Sequence, residues 1–351
     1  MSKFEENIRK VIPYVPGEQP QNKVIKLNTN ENPYPPSPAV EQVLKEIDTS
    51  DFRLYPDPSC SMLVKSLADF YGVGEDQIFV GVGSDDVLAM CFLTFFNSSK
   101  PILFPDITYS FYKVWAQLYK IPYECPKLDK DFRIVKEDYY RENGGIIFPN
   151  PNAPTAIYEG LDFIEDILVH NPDVIVIIDE AYIDFAGRSA IELIGRYENL
   201  VVTQTFSKAR SMAGMRIAYA ISNPKLIRYL NDVKYSFNSY TLNRASLICG
   251  EAAVKDREYF ENTIRKIIDT REKTKRELAS LGFSFTDSNT NFIFATHPEY
   301  DAKEMFEAMK EQGIYVRHWD SERIRQYLRI TIGTEEEMQK LFEFLKKYMQ
   351  K

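Results

Sequence analysis

Cysteine and histidine are scarce in this 351-residue chain. The four cysteines, Cys60, Cys91, Cys125 and Cys249, are far apart and form no CxxC pair, and the three histidines are His170, His297 and His318. A structural zinc site needs clustered Cys and His ligands, so no metal is expected. Scattered thiols without a disulfide framework suit a reducing compartment. Positive charge is also short: 43 Lys and Arg against 51 Asp and Glu leave a formal charge of −8. A nucleic-acid binder normally carries a net basic face, and no block of five like charges occurs here, so nucleic acid is not an expected partner. No apolar run reaches the roughly 18 residues that a membrane span needs. Met1–Lys10 reads as charged and helix-like, without the apolar segment of a secretory signal. The expectation is a soluble, cytoplasmic protein with neither membrane nor nucleic-acid partner.

What is present is ordinary for a globular chain: 44% apolar and 27% charged residues, enough at this length for a large core and about two domains. Residues 1–36 read as an N-terminal arm, broken by prolines at Ile12–Gly17 and Asn28–Pro36, because proline fixes φ and removes backbone donors. Ser37 is placed to cap a helix running to about Ile47. Short apolar strands are expected at Ile78–Val82, Ile102–Phe104, Ile146–Phe148, Val174–Ile178, Leu200–Thr203 and Ile217–Ile221. Helices are expected between several of them, at Asp85–Phe96, Tyr109–Tyr119 and Leu161–Val169. Strands apolar on both faces and alternating with helices indicate an α/β fold with a largely parallel sheet covered on both sides. Ligands of such sheets gather at the carboxyl ends of the strands. The large domain is expected over 37–255, its first helix able to pack with the second domain. Residues 256–351 are expected to form one long linking helix, Asp256–Leu281, and a small α+β domain. The latter reads strand (Phe292–Ala295), helix (Ala302–Gln312), strand (Tyr315–His318), strand (Tyr327–Thr331), helix (Glu335–Tyr348).

The segment Asp179–Arg216 carries the chemistry. Asp179 follows directly on the apolar strand Val174–Ile178, and alone it reads equally well as a helix cap. Lys208, in Thr205-Phe206-Ser207-Lys208, leaves the end of the next strand, and alone it reads as a surface lysine. Spacing changes the balance: Asp179 precedes Lys208 by 29 residues, Tyr182 sits three after Asp179, and Arg216 sits eight after Lys208. Together they fit pyridoxal phosphate. A lysine in a dry pocket can form a Schiff base, a buried aspartate can keep a pyridine nitrogen protonated, and an arginine with hydroxyls can neutralise a phosphate. Gly81-Val82-Gly83-Ser84-Asp85-Asp86, ending a strand and opening a helix, offers a second anion-binding element. It lacks the third glycine of the dinucleotide fingerprint, which disfavours a nicotinamide dehydrogenase.

With these residues in order, the chain resembles the fold-type I pyridoxal-phosphate-dependent aminotransferases of class II, and within them the histidinol-phosphate aminotransferases. The carriers are Leu27-Asn28-Thr29-Asn30-Glu31-Asn32-Pro33, Leu54-Tyr55-Pro56-Asp57, Gly83-Ser84-Asp85-Asp86, Asn150-Pro151-Asn152-Ala153-Pro154-Thr155, Asp179-Glu180-Ala181-Tyr182, Ser207-Lys208 through Gly214-Met215-Arg216, and Leu328-Arg329-Ile330-Thr331. The resemblance implies a large domain with a mostly parallel seven-stranded sheet flanked by helices, plus the small domain. It implies Lys208 as Schiff-base lysine and proton shuttle, Asp179 on the pyridinium, Tyr182 on the ring hydroxyl and Tyr109 stacked on the ring. Ser84 and Asp85 (through backbone N–H), Thr205, Ser207 and Arg216 would hold the phosphate. Tyr55 would reach the cofactor phosphate of the other subunit in a homodimer with shared sites. Arg329 would clamp a substrate carboxylate, with Asn30 nearby, and Tyr14 and Arg317 would receive the phosphate of histidinol phosphate. Glutamate and 2-oxoglutarate would complete the transamination, a step of histidine biosynthesis. On the same fold, a broad aromatic aminotransferase or a threonine-phosphate decarboxylase is the alternative, and a non-catalytic ligand sensor is the alternative from another class.

Two positions depart from the family pattern. Ala153 stands where an asparagine usually bonds the cofactor's ring oxygen, so that either Asn152 substitutes or Tyr182 and water carry the contact. Arg210 stands two residues after Lys208, where an apolar or aromatic residue is usual, and a charged partner at the subunit interface is one expectation for it.

Overall fold

The computed structural model describes residues 3–350. Residues 1 and 2, part of the expected Met1–Lys10 helix, lie outside the described residues, and Lys3–Asn7 form a 3-10 turn. A seven-stranded sheet dominates: β2 (Ile78–Gly81), β3 (Ile102–Leu103), β4 (Tyr123–Glu124), β5 (Ile146–Pro149), β6 (Val176–Asp179), β7 (Leu200–Thr205) and β8 (Ala218–Ile221). Their spatial order is β2-β8-β7-β6-β5-β3-β4. Only β8 runs against its neighbours, β2 and β7. The six apolar runs read from the sequence are all strands, shifted by a residue or two. The seventh, β4, escaped notice because it is a two-residue edge strand with a half-exposed, mixed sequence.

Every residue of β2, β5, β6, β7 and β8 is buried. Period-two alternation sends Val176, Ile178, Leu200 and Val202 to one face, against α2 (Ser61–Tyr71), α5 (Leu161–His170) and α7 (Arg244–Lys255). It sends Ile177 and Val201 to the other, against α3 (Gly83–Phe95), α4 (Phe111–Tyr119) and α6 (Pro224–Phe237). Burial on both faces is why these strands read as continuous apolar runs. Before α2, the helix α1 (Pro38–Glu46) starts at Ser37, whose Oγ accepts the Ala39 N–H at 3.1 Å and donates to Asp256 at 2.7 Å. Asp256 in turn caps the long helix α8 (Arg257–Ser280) by accepting the Tyr259 N–H. One short polar chain thus ties the starts of two helices far apart in sequence.

Beyond α8 lies a four-stranded antiparallel sheet, β12-β13-β10-β9, from β9 (Ser284–Phe285), β10 (Phe292–Thr296), β12 (Arg317–His318) and β13 (Leu328–Thr331). Helices α9 (Ala302–Glu311) and α10 (Glu335–Met349) pack on it. The strand expected at Tyr315–His318 is divided. Its first part belongs to β11 (Ile314–Tyr315), which pairs in parallel with β1 (Ile25–Lys26) of the arm. The Ile25 N–H donates to Gly313 O at 2.9 Å and the Leu27 N–H to Tyr315 O at 2.7 Å, closing that ladder. The arm therefore does more than wander over the surface. Leu27 is 1% exposed and packs in the core of this second sheet with Ile314, Ile330, Ile332 and Leu341.

Leu27→Ala is expected to lower unfolding stability by about 2–5 kcal/mol, the range for removing a buried leucine side chain. The urea midpoint measures it, and an unchanged midpoint would show that the arm packs loosely.

Candidate active site

Two cavities meet at the carboxyl ends of β5, β6 and β7. The inner one, about 200 Å³, is lined by Ser84, Asp85, Asp179, Thr205, Ser207 and Arg216, among others. The outer one, about 400 Å³, is lined by Tyr14, Lys113, Arg317, Trp319 and Arg329, among others. Lys208, Tyr182, Tyr109, Ala153 and Thr29 border both.

Lys208 follows β7 by three residues, and the arm holds it from two sides. Its Nζ donates to Thr29 O at 3.1 Å, while Asn32 Nδ2 donates to the carbonyls of Lys208 and Ala209 at 3.1 and 3.2 Å. Tyr182 presents its ring 5.8 Å from Nζ, and its hydroxyl accepts from Asn30 Nδ2 at 2.8 Å, leaving the phenolic proton available to a ligand. Asn30 adopts φ 57°, a left-handed conformation that asparagine tolerates better than most residues. Its backbone N–H donates to Thr331 Oγ1, whose hydroxyl donates back to Asn30 Oδ1.

Asp179 ends β6 and is 5% exposed. Burial pushes its carboxyl up to about 6, although donors from Tyr112 and the Ala181 N–H favour the anion. A buried acid of this kind is well matched to a cationic N–H. At the opposite lining, α3 presents its N-terminus beside Ser84. Gly83 has φ +77°, a left-handed conformation that favours glycine, and lies against the Arg216 guanidinium, which an added Cβ would displace. Thr205 Oγ1 donates to Ser207 Oγ and accepts the Ser207 N–H, both at 3.1 Å. One cavity thus offers a carboxylate together with a guanidinium, hydroxyls and a helix N-terminus. That donor set fits pyridoxal phosphate, which has a basic ring nitrogen and a phosphate at separate positions.

Several expectations need adjustment. Asp85 does more than offer a backbone N–H: its carboxylate accepts the Tyr109 hydroxyl at 2.8 Å and the Arg216 Nη2 at 3.3 Å. Asn152 does not line either cavity. Its amide donates to Ile107 O and Thr155 Oγ1 and accepts from Thr108, so it braces the surrounding loops and is not free to stand in for the asparagine missing at Ala153. Arg210 is not a surface charge awaiting an interface. It is 6% exposed, enclosed by the rings of Phe70, Phe206 and Phe260 at 4.9, 5.3 and 4.0 Å, and donates to Ala253 O at 2.7 Å. Phenylalanine faces are attractive to a planar guanidinium, which explains why a charge replaces an apolar residue here. Tyr55 is 80% exposed, stacks on Tyr240 and borders neither cavity of its own chain.

In the outer cavity Tyr14 stacks on Phe111 at 4.6 Å. Arg317 and Arg329 are directly opposite one another on β12 and β13, with Trp319 within 5.7 and 5.4 Å of their guanidiniums. Like charges facing across a ladder are destabilising, and burial together with Arg317 draws the pKa of Arg329 down. Arg329 donates to Asn28 O at 2.8 Å, while its buried Nε has no partner among the described residues. An anion would relieve both costs. Sequence reasoning gave no role to Asn32, the Asn28 and Thr29 carbonyls, Trp319 or Tyr112. Backbone carbonyls carry no sequence signal, and the one hint for Tyr112 is its place three residues after Tyr109, at the start of the helix expected there.

The model of the family described as aminotransferase class I and II matches residues 22–345. A histidinol-phosphate aminotransferase of Lactococcus lactis subsp. cremoris is 50% identical over 347 residues, 99% of this chain and 98% of its own. One from Clostridium botulinum is 50% identical over 353 residues, with 100% of both chains covered. The solved histidinol-phosphate aminotransferase of Sinorhizobium meliloti in complex with pyridoxal-5'-phosphate has a TM-score of 0.83 at 22% identity, over 92% of this chain and 91% of that one, a likeness of fold.

The displaced ionisation of Asp179 has a definite sign. Its folded-state pKa, about 6, lies above the ordinary 3.8, so the proton's contribution is fully present below 3.8 and is lost as pH rises through 6. Asp179→Asn is therefore expected to make the ligand-free protein more stable than its parent at pH 8, by roughly 1–3 kcal/mol. The difference should close towards pH 4. Urea unfolding at the two pH values tests it, and an equal difference at both would refute the buried-acid account.

Proposed function

The chain belongs to the class I and II aminotransferase family, and from that premise we propose that it interconverts L-histidinol phosphate and 2-oxoglutarate with imidazole acetol phosphate and L-glutamate, in L-histidine biosynthesis. The observation that carries the reading is the position of Lys208, in the shared wall between a cavity suited to pyridoxal phosphate and a cavity containing two opposed arginines. The full-length, 50% identical relatives named histidinol-phosphate aminotransferase support the substrate.

When bound, pyridoxal phosphate supplies an electron sink that makes the substrate Cα proton removable. The protein's part is to hold and to move protons. Asp179 would pair with the ring nitrogen, and Ser84, Asp85 (through its backbone N–H), Thr205, Ser207 and Arg216, which line the same cavity, would hold the phosphate. The Asp85 carboxylate restrains Arg216 and Tyr109, and Tyr109 covers one ring face. The Tyr182 hydroxyl, oriented by Asn30, would donate to the ring oxygen without help from Asn152. Lys208 would hold the cofactor through its amine, and its Nζ would be the base that takes the substrate Cα proton and the acid that gives it back. Its hydrogen bond to Thr29 O is a place to rest between these transfers. In the outer cavity Arg329 receives the carboxylate of glutamate, and Arg317 with Tyr14 receives the phosphate of histidinol phosphate.

The working unit is proposed to be a cytoplasmic homodimer. Phe52, Leu54, Tyr55, Phe237 and Tyr240 are 44–80% accessible, Tyr55 stacks on Tyr240, and exposed apolar residues that gather in one patch mark an interaction surface. Burial of that set in a second copy would carry Tyr55 towards the partner's phosphate site. No helix among the described residues is long and apolar enough to cross a membrane.

Lys208→Ala is expected to lower transamination by several orders of magnitude with an unchanged thermal midpoint, since it removes the proton carrier and not core. Retained turnover would remove Lys208 from its role. Arg317→Ala should raise the KM for histidinol phosphate by about tenfold, a lost charge-assisted contact, and that for glutamate much less. Equal losses would refute the division of labour. A half-reaction absorbance titration decides the substrate. Conversion at low histidinol phosphate supports the proposal, conversion only by phenylalanine favours a broad aromatic enzyme, and carbon dioxide release would indicate a decarboxylase.

A further inference from the structure

Among the described residues, Asp179 receives one side-chain hydrogen bond. Tyr112, in the first turn of α4 and 0% exposed, donates its hydroxyl to Asp179 Oδ2 at 2.8 Å. The other carboxylate oxygen takes only the Ala181 N–H, at 3.3 Å. Thr203 lies opposite Asp179 in the β6–β7 register, so its side chain shares that face of the sheet, yet its buried hydroxyl has no partner. No positive side chain reaches Asp179, and Asp85 adds repulsion. The burden of keeping this buried carboxyl ionised therefore falls on one neutral phenol. Tyr112 is suited to it: enclosed by Phe92, Phe104, Tyr109 and Trp115, it cannot rotate away. Burial and the neighbouring carboxylate hold its own ionisation well above the ordinary tyrosine value, so at neutral pH it is always a donor. Because Tyr112 borders neither cavity, it approaches the carboxylate from behind and leaves the cavity side of Asp179 open.

We propose that Tyr112 is a positioning residue that sets the ionisation and aim of Asp179, and through it the grip of the protein on the ring nitrogen of pyridoxal phosphate. The inference rests on reading the inner cavity as that cofactor's site. A donor to the anion lowers a carboxyl's pKa, and its loss raises it. At neutral pH more Asp179 would then be protonated, and a protonated acid makes no ion pair with a pyridinium.

Tyr112→Phe keeps the ring and its packing and removes only the hydroxyl. In the ligand-free protein with 13C-labelled aspartate carboxyls, the Asp179 titration midpoint is expected to move to higher pH by about one unit. That is the tenfold change a lost charge-assisted hydrogen bond brings. In equilibrium dialysis the variant is expected to bind pyridoxal phosphate about fivefold more weakly at pH 6, where the ionised fraction of Asp179 falls most, and within about twofold of the parent at pH 8. The acid limb of the affinity profile should move upward in pH. The 1-deaza analogue, with carbon in place of the ring nitrogen, should bind parent and variant within about twofold of each other, because Asp179 has nothing to hold in it. Equal weakening for cofactor and analogue would make the role of Tyr112 merely structural and overturn the proposal, as would an unmoved Asp179 titration. Failure of the parent to bind pyridoxal phosphate would sink the cofactor reading instead, while the carboxyl titration would still decide whether Tyr112 governs Asp179.

Discussion

The candidate site depends on one short stretch of arm, Asn28–Asn32, which hydrogen-bonds to Arg329, Lys208 and Tyr182. Asn28 O takes a hydrogen from Arg329, Thr29 O one from Lys208, Asn30 Nδ2 donates to Tyr182, and Asn32 Nδ2 donates to the backbone at Lys208 and Ala209. A segment rich in asparagine and ended by proline suits the task. Its backbone is not committed to a ladder, so its carbonyls are free to accept, and asparagine side chains both donate and accept. Asn291 Nδ2 completes the set by donating to Asn30 O. Leu27 just before it is fixed in the second core, so these five residues are held at one end by packing and distribute that order to the lysine, the tyrosine and the arginine.

This dependence also marks what was legible in the sequence. Strands apolar on both faces announced the sheet, and the carboxyl-end rule turned Asp179 and Lys208 into neighbours across β6 and β7. Chemistry at a strand end can be read because the strand fixes where its last residue points. The arm could not be read in that way. Its residues were recognised as extended, but their partners are 150 to 300 positions away, and most of the bonds run through backbone carbonyls that any residue type provides. Asn152 and Arg210 failed for a related reason. Each is polar and near a motif, but whether such a group faces the cavity or the interior is decided by packing of Phe70, Phe206 and Phe260, or by loop carbonyls such as Ile107 O, and not by local pattern.

Two successive acids show how one strand end serves two interiors. Asp179 and Glu180 are consecutive, and β-geometry sends consecutive side chains to opposite faces. Asp179 turns to the cavity beside α3 and α4. Glu180 turns to the other face, where it takes hydrogens from Ser189, the Ala190 N–H and Gln204, and burial pushes its carboxyl up to about 7. Gln204 continues that network to Tyr71 and Tyr219. Glu180 thus takes three donors from the protein, with both oxygens engaged, and borders neither cavity. Asp179 is left under-satisfied on its open side. The chemical difference between two neighbouring carboxylates comes from counting their donors, not from their residue type.

The same accounting explains the outer cavity. Arg317 and Arg329 face each other with Trp319 beside both and with a buried Nε unpartnered. A protein optimised only for stability would not keep this arrangement, because like charges and an orphaned donor each cost free energy that nothing in the free chain returns. The arrangement becomes favourable only when an anion enters. It does not demand one shape of anion, since two guanidiniums on adjacent strands offer one position for a carboxylate and a neighbouring one for a phosphate. A transaminase that must take both glutamate and a phosphate ester in turn needs that tolerance at this end of the site and strict geometry at the other. On the proposed reading, Lys208, Asp179 and Tyr182 would supply the strict part, because β6, β7 and the packed arm hold them. Tolerance would come from two long arginine side chains paired across β12 and β13, each with its own substrate group to meet.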